Sequence, residues 1–273
     1  MNTLNQRIIS GIIFTALVIG SIVIARFTFL IFFTFVTMLS LLEFYKVSLR
    51  SRVKAHFILG TVTGGVLFII NFLYACQYAN ANIFLFLIPF MLSFYFVEIY
   101  KKEKTSISNL AYTIFGLIYI AVPFSMLNYF VFPYSDGQYT PNILLGIFIL
   151  IWSSDSGAFV FGTTFGRHKL MPQLSPKKTW EGFIGGVLFT VFVAFVLSKY
   201  LIELQPYQWI VSALIISITG TYGDLAESMF KRSIKIKDTG NLIPGHGGLL
   251  DRFDSFLLAI PSVFLYLHWI LFY

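Results

Sequence analysis

The chain has 273 residues, of which 57% are hydrophobic and 11% are charged, and its formal net charge is +7 at pH 7. Apolar runs recur from one end to the other, which excludes a soluble domain with a single core and predicts an all-α, polytopic integral membrane protein. The runs are continuous and do not alternate with a period of two, so a β-barrel is disfavoured.

Apolar stretches define the predicted elements in chain order. A helix needs ~20 residues to cross a hydrocarbon core about 30 Å thick. We predict a bundle of about nine transmembrane helices near residues 8–25, 27–45, 57–75, 83–99, 110–132, 143–165, 182–202, 208–225 and 255–273. The first run could be a signal peptide, but a second apolar run follows it directly, and we interpret the first as an uncleaved span.

Basic residues predict the orientation of these helices. If the N-terminus is cytoplasmic, all but two of the 19 Lys and Arg lie in inner segments, the exceptions being Arg26 and Lys199. This asymmetry predicts an N-in, C-out topology. The positive charge then faces anionic lipid headgroups, and we expect no nucleic-acid partner. Cys76 is the only cysteine, and we expect it on the outer side, where an impermeant maleimide would label it.

Function is predicted to lie in the second half of the chain, whose inner segments are longer and richer in Gly, Pro, Ser and charge. We interpret residues 1–140 as structural, lipid-facing helices and residues 141–273 as the catalytic region with its cytoplasmic loops, within one membrane domain. Asp155 lies inside an apolar run, and a buried acid in a membrane span is costly enough to be a functional candidate. The alternative is a structural aspartate held by hydrogen bonds.

The run SPKKTWEG, residues 175–182, presents two lysines and two hydroxyl groups before the seventh span. This composition suits phosphate binding, although simple contact with lipid headgroups would use the same residues. The candidates are Ser175, Lys177, Lys178 and Thr179.

The segment 223–255 holds the densest group of charges. If residues 223–232 continue the eighth span as a helix, Asp224, Glu227, Ser228 and Lys231 share one face. Clustered carboxylates repel one another unless a cation or basic groups neutralise them. Hard oxygen ligands without cysteine indicate Mg²⁺, and Mg²⁺ beside lysines and a glycine loop indicates phosphates. Ordinary helix capping and snorkelling is the alternative.

The last span follows a glycine-rich loop. If that helix begins near Gly248, Asp251 and Asp254 are i, i+3 neighbours in its first turns. The free N–H groups at such a helix start could bind an anion, and Gly245, Gly247 and Gly248 would let the chain come close to it.

The stretch Ser228–Asp254 reads S-x-F-K-R-x4-K-D-x-G-x2-I-P-x-H-G-G-L-x-D-R-F-D. It resembles the signature of the phosphatidate cytidylyltransferases, also called CDP-diacylglycerol synthases. The upstream block that contains SPKKTWEG is similar to the second characteristic region of that family. The likeness covers roughly residues 150–255.

The resemblance implies that CTP and phosphatidic acid give CDP-diacylglycerol and pyrophosphate, with Mg²⁺ as cofactor. It implies Asp224 and Asp251 as Mg²⁺ ligands, supported by Asp155 and Asp254. Lys231, Arg232 and Lys237 would neutralise the negative charge of the triphosphate and of the leaving group. The remaining candidates are Asp238 and His246 for catalysis, and Ser175, Lys177, Lys178, Thr179, Ser228, Gly245, Gly247, Gly248 and Arg252 for substrate binding.

The partners implied are CTP, phosphatidic acid and membrane lipids, and the chain could also form a homodimer. The location implied is the bacterial inner (cytoplasmic) membrane, with the active site on the cytoplasmic side. The alternatives are a secondary transporter or channel, which also places acids and broken helices in a bundle, and a different CTP-using lipid enzyme.

Overall fold

A computed structural model describes the chain except for residues 1–2, 50–52, 102–104, 135, 241, 243–246 and 272–273, and it describes no side chains at 3–5, 7 and 271. Apart from one two-stranded sheet, the regular elements in the described part are helical. This confirms the prediction of an all-α, polytopic membrane protein. The contacts group the chain into two compact units.

The first unit comprises residues 1–139 and 238–252. Its helices are α1 (Thr3–Ile24), α2 (Arg26–Ser48), α3 (Phe57–Ala75), α4 (Leu87–Lys101), α5 (Ser106–Gly116) and α6 (Val122–Val131). A 3₁₀ turn, Ala81–Phe86, precedes α4, and a π-helical turn, Leu117–Ala121, joins α5 to α6. A further 3₁₀ turn, Leu250–Arg252, belongs to the later segment of this unit.

Tyr45 shows how the helices of the first unit pack. Its ring lies against α3 and α5, where a Cβ on Gly60 would come within 2.7 Å of the ring and a Cβ on Gly116 within 2.5 Å. The Tyr45 hydroxyl donates to the Thr113 carbonyl oxygen at 2.8 Å. Two glycines thus make room for a large aromatic side chain, and its one polar atom is satisfied by a backbone acceptor.

The second unit comprises residues 140–237 and 253–273. Its elements are α7 (Asn142–Phe165), β1 (Lys169–Met171), β2 (Ser175–Thr179), α8 (Trp180–Leu197), α9 (Pro206–Ser233) and α10 (Asp254–Leu271). Helices α7 and α8 approach closely through small residues: a Cβ on Gly182 would lie 2.9 Å from the Gly162 Cα, and one on Gly157 would lie 3.1 Å from the Gly186 Cα. Small residues at such crossings let membrane helices pack backbone against backbone.

The β1–β2 hairpin was not predicted. Lys169 pairs with Thr179, and Met171 pairs with Ser175, in antiparallel register. The connection is a turn in which Leu174 N donates to the Met171 carbonyl oxygen at 3.2 Å. Pro172 occupies the second position of this turn, which proline favours. The SPKKTWEG run is therefore a strand followed by the first turn of α8.

Seven helical segments in the described part are long and apolar enough to cross a membrane. Two shorter apolar helices, Ile8–Ile24 and Asp254–Ile270, accompany them. The number of nine spans and the N-in orientation stay predictions. Arg50, Arg52, Lys102 and Lys104, which contribute to the charge asymmetry, lie outside the described residues. The division at residues 140 and 141 concerns function rather than packing, and it also stays a prediction.

Cys76 is a poor reporter of topology, contrary to the expectation from the sequence. The side chain is buried, at 4% exposure, and burial raises the pKa of its thiol. Less thiolate is therefore present at neutral pH, and burial also restricts the access of the reagent. For both reasons we expect Cys76 to react slowly with maleimide.

The orientation can be tested with exposed positions instead. In a Cys76→Ala background, Asn82→Cys should react with an impermeant maleimide on intact cells, because Asn82 is exposed in a predicted outer turn. Ser108→Cys, exposed at the start of α5, should react only after the membrane is permeabilised. The opposite labelling pattern would show that the N-terminus is outside.

Candidate active site

The C-terminal end of α9, which is predicted to lie on the cytoplasmic side, carries a polar face. The helix continues without a break to Ser233, which confirms that Asp224, Glu227, Ser228 and Lys231 lie on one side. Ser228 Oγ donates to Asp224 Oδ1 at 3.3 Å, and Lys231 Nζ donates to Glu227 Oε2 at 2.8 Å. Glu227 is fully buried. A buried carboxylate of this kind needs a charged donor such as Lys231.

The hairpin adds a lysine to this face. Lys178 Nζ lies 2.5 Å from Asp224 Oδ2, and both side chains are about one quarter exposed, at 26%. Lys177, the neighbouring residue, is exposed. The sequence treats the two lysines as equivalent, whereas the structure pairs only Lys178 with a predicted metal ligand.

Thr179 has a structural function in this segment. Its hydroxyl accepts a hydrogen bond from Gly182 N at 3.2 Å, so that it caps the N-terminus of α8. Its side chain is 5% exposed. The hydroxyl keeps its O–H as a donor, but burial of the side chain restricts the access of a phosphate to it. Ser175, at the start of β2, is half-buried.

Asp254 begins α10 and brings a further carboxylate to the group. A Cβ on Gly223 would lie 2.6 Å from the Asp254 carbonyl oxygen, so the missing side chain lets α10 begin close to Asp224. The negative charges of Asp224, Glu227 and Asp155 act on the Asp254 carboxyl. We call Asp155, Asp224, Glu227 and Asp254 the carboxylate cluster.

Asp155 lies within α7, as predicted, and its side chain is exposed at the surface of the bundle and not packed inside it. Its Oδ1 accepts a hydrogen bond from Ser255 Oγ at 3.2 Å. The reason is that Asp155 lies beside the polar start of α10 and not within the apolar packing around its neighbour Ile151, which is 5% exposed.

Residues 238–252, which we call the signature loop, form a second group in the first unit. Asp251 is 5% exposed. Its Oδ2 accepts three hydrogen bonds, from Thr239 N at 2.9 Å, Thr239 Oγ1 at 3.0 Å and Gly248 N at 2.9 Å. Asp251 therefore ties the two sides of the loop together.

The last helix begins beside the predicted span 255–273 and not near Gly248, so the condition for placing Asp251 and Asp254 together in its first turns is not met. Residues Leu250–Arg252 form a 3₁₀ turn, and α10 begins only at Asp254. The physical reason is that the Asp251 side chain bonds back to Gly248 N and Thr239, which closes a loop where a helix would have to extend. Gly248 N is thus already engaged and does not offer the free anion-binding donor that was predicted.

The backbone conformation at position 247 favours glycine. Its φ is +85°, in the left-handed region where a Cβ is strained. A Cβ there would also lie 3.1 Å from Asp251 Oδ2.

The other predicted site residues lie around the end of α9 and in the loop. Arg232 Nη1 donates to the Ile236 carbonyl oxygen at 3.1 Å and so stabilises the chain reversal after the helix. Lys237, Asp238 and Arg252 are exposed. Gly245 and His246 lie outside the described residues.

The donor chemistry fits magnesium bound together with phosphates. Within the described residues, no group of three or more His, Cys, Asp or Glu is arranged to hold a metal ion by itself. Mg²⁺ commonly takes one or two carboxylates and completes its shell with water and substrate phosphates. The carboxylate cluster has four acids and two paired lysines, Lys178 and Lys231, so its acids outnumber the lysines that pair with them and its oxygens suit a hard cation.

The sequence model of the cytidylyltransferase family matches residues 5–270. The chain belongs to this family. It is 40% identical over 162 residues to the phosphatidate cytidylyltransferase of Staphylococcus haemolyticus. It is 38% and 36% identical over 163 residues to the proteins of the same name from Staphylococcus aureus and Staphylococcus saprophyticus. Each of these matches covers 59% of this cytidylyltransferase-family chain and 60% of the length of the relative.

Thr179 allows capping to be separated from phosphate binding. Thr179→Ala should lower the free energy of unfolding by about 1 kcal/mol, because the first turn of α8 loses its cap. Thr179→Ser keeps the hydroxyl and should retain most of the stability, and Ser175→Ala is the matched control. Thermal unfolding in detergent measures the difference. If Thr179→Ala were as stable as the wild type, the capping role would be wrong.

Proposed function

We propose that the protein is a phosphatidate cytidylyltransferase, which converts CTP and phosphatidic acid into CDP-diacylglycerol and pyrophosphate with Mg²⁺ as cofactor. The observation that carries the proposal is the carboxylate cluster with Lys178 and Lys231, set among apolar helices of a cytidylyltransferase-family chain. The names of the Staphylococcus relatives support the choice of phosphatidic acid as the acceptor.

In the proposed reaction, a phosphate oxygen of phosphatidic acid attacks the α-phosphorus of CTP, and the bond to pyrophosphate breaks. The attacking phosphate is already anionic at neutral pH, so no strong general base is required. Two anionic reactants must meet, and catalysis therefore consists mainly of positioning and charge neutralisation.

The residues divide this work between them. Asp224 would hold Mg²⁺ on the nucleotide phosphates, with Asp155 and Asp254 in support, and the ion would supply charge neutralisation there. Asp251, in the signature loop, stays predicted from the sequence as a further Mg²⁺ ligand. Lys231 lies on the face of α9 with Asp224 and would stabilise the charge that builds on the leaving pyrophosphate, together with Arg232 and Lys237. Lys177, which is exposed, would attract an anionic substrate.

The proposed location is the bacterial inner membrane, with the reacting groups on the cytoplasmic side, where CTP is available. The basic residues of the inner segments support this orientation. Assembly as a homodimer stays a prediction.

The decisive test is pyrophosphate release by the purified full chain in mixed micelles. We expect release from CTP only when phosphatidic acid and Mg²⁺ are both present. Polyprenol in place of phosphatidic acid should give neither pyrophosphate nor CDP. Release of CDP together with polyprenyl phosphate would instead favour a CTP-using polyprenol kinase. Asp224→Asn should reduce turnover by about 10²-fold or more, since it removes a metal ligand with little change of volume. Asp136→Asn, at an exposed loop acid, is the matched control.

The lysines should separate binding from chemistry. Lys177→Gln should raise the apparent KM and leave kcat largely unchanged, because an exposed charge contributes to capture. Lys178→Gln and Lys231→Gln should lower kcat. Each of these lysines forms an ion pair with a carboxylate of the cluster, and from there it would stabilise negative charge that develops only in the transition state. Titrations against CTP and against phosphatidic acid measure both constants. A Lys231 variant changed only in KM would contradict this division.

A further inference from the structure

Glu43 is an acid in α2, a helix that the sequence analysis assigns to the structural, lipid-facing half of the chain. It lies in the apolar run SLLEFYK and is 8% exposed. An ionisable side chain buried in a membrane helix is expensive and requires a partner. The function proposed above gives Glu43 no part.

The partner of Glu43 is the signature loop. Glu43 Oε2 accepts a hydrogen bond from Leu250 N at 2.9 Å. Leu250 is adjacent in the chain to Asp251, which is a proposed metal ligand. Glu43 Oε1 is buried and has no hydrogen-bond partner among the described residues.

Two glycines of the loop close around the same carboxylate. A Cβ on Gly240 would lie 2.6 Å from Glu43 Oε1, and the three nearest atoms to it all belong to Glu43. A Cβ on Gly248 would lie 2.8 Å from Glu43 Oε2 and 2.8 Å from Gly240 N. The Glu43 carboxylate therefore lies where side chains at Gly240 and Gly248 would otherwise be, next to the Thr239 hydroxyl.

We propose that Glu43 is a positioning residue, which fixes the signature loop on α2 and so sets the place of the Asp251 carboxylate. Asp251 joins Thr239 to Gly248 within the loop, and Glu43 joins Leu250, the residue before Asp251, to a helix outside it. The kinetic part of this proposal rests on the proposed cytidylyltransferase activity. Glu43 acts through Asp251 and the loop backbone and does not itself contact substrate.

Hydrogen exchange of the full-length protein tests the positional part without any activity. Glu43→Ala should make the amides of residues 247–252 exchange about tenfold faster, because Leu250 N loses its acceptor. Glu43→Gln keeps an uncharged acceptor and should have an intermediate effect. Thr37→Val is the matched control: Thr37 is buried in the same helix, and its hydroxyl bonds to Phe33 within α2.

Kinetics test the consequence for turnover. We expect kcat to fall about 10- to 100-fold in Glu43→Ala, since a displacement of about 1 Å in a catalytic group has effects of this size. KM for phosphatidic acid should stay within about twofold, because uniform substrate binding is not altered. Glu43→Gln should fall between the wild type and Glu43→Ala. Wild-type kcat and exchange in Glu43→Leu, which fills the space without an oxygen acceptor, would mean that Glu43 only fills space and would overturn the proposal.

Gly240 provides a double-mutant cycle. Gly240→Ala alone should displace the Glu43 carboxylate and speed exchange of residues 247–252. In a Glu43→Ala background, Gly240→Ala should increase the exchange rate little further, because the Glu43 side-chain atoms that the new Cβ would contact are absent. Additive effects would overturn the proposal, and so would an equal change of exchange in Thr37→Val. If the wild type released no pyrophosphate, the proposed function would fail, whereas exchange in these variants would still decide whether Glu43 positions the loop.

Discussion

The three hydrogen bonds that Oδ2 of Asp251 accepts hold the signature loop closed. They reflect a constraint on the whole chain. A carboxylate that is buried among apolar helices without hydrogen-bond donors destabilises the folded state by several kcal/mol or more, at about the desolvation cost of the charge. Glu43 meets the constraint with a backbone N–H of Leu250. Glu98, 3% exposed, meets it with Asn109 Nδ2 at 2.7 Å. Asp251 and Glu43 therefore each fix the conformation of the signature loop, and Glu98 links α4 to α5.

The same constraint separates two aspartates that the sequence treats alike. Asp224 is bonded by the side chains of Ser228 and Lys178 and is about one quarter exposed, so its partners can be exchanged without moving the backbone. Asp251 is nearly fully buried, and two of its three donors are backbone N–H groups. A change at Asp251 therefore alters both charge and loop structure, whereas a change at Asp224 alters mainly charge.

Sequence reasoning succeeded where the determining forces are local. Long apolar runs predict the helices because each run must satisfy its own backbone inside a bilayer. The polar face of α9 follows from helical spacing, and the Glu227–Lys231 bond is an i, i+4 pair. Contacts between distant segments were missed: Lys178 with Asp224, and Glu43 with Leu250. A signal existed for Glu43, because the rule that singled out Asp155, an acid inside an apolar run, applies to it equally. The turn at Pro172 was a second signal, and it predicts the hairpin that was missed.

Under the proposed function, the Lys178–Asp224 pair has a second consequence. The two carboxylate oxygens of Asp224 have different partners: Oδ2 lies 2.5 Å from Lys178 Nζ, and Oδ1 accepts a hydrogen bond from Ser228 Oγ at 3.3 Å. An ionised carboxylate has about four acceptor sites, so Asp224 could hold a cation beside Lys178, and the two positive charges would then repel each other. This repulsion would favour contact of Lys178 with a nucleotide phosphate. The ion pair thus holds both side chains in place and neutralises their charges before substrate is bound.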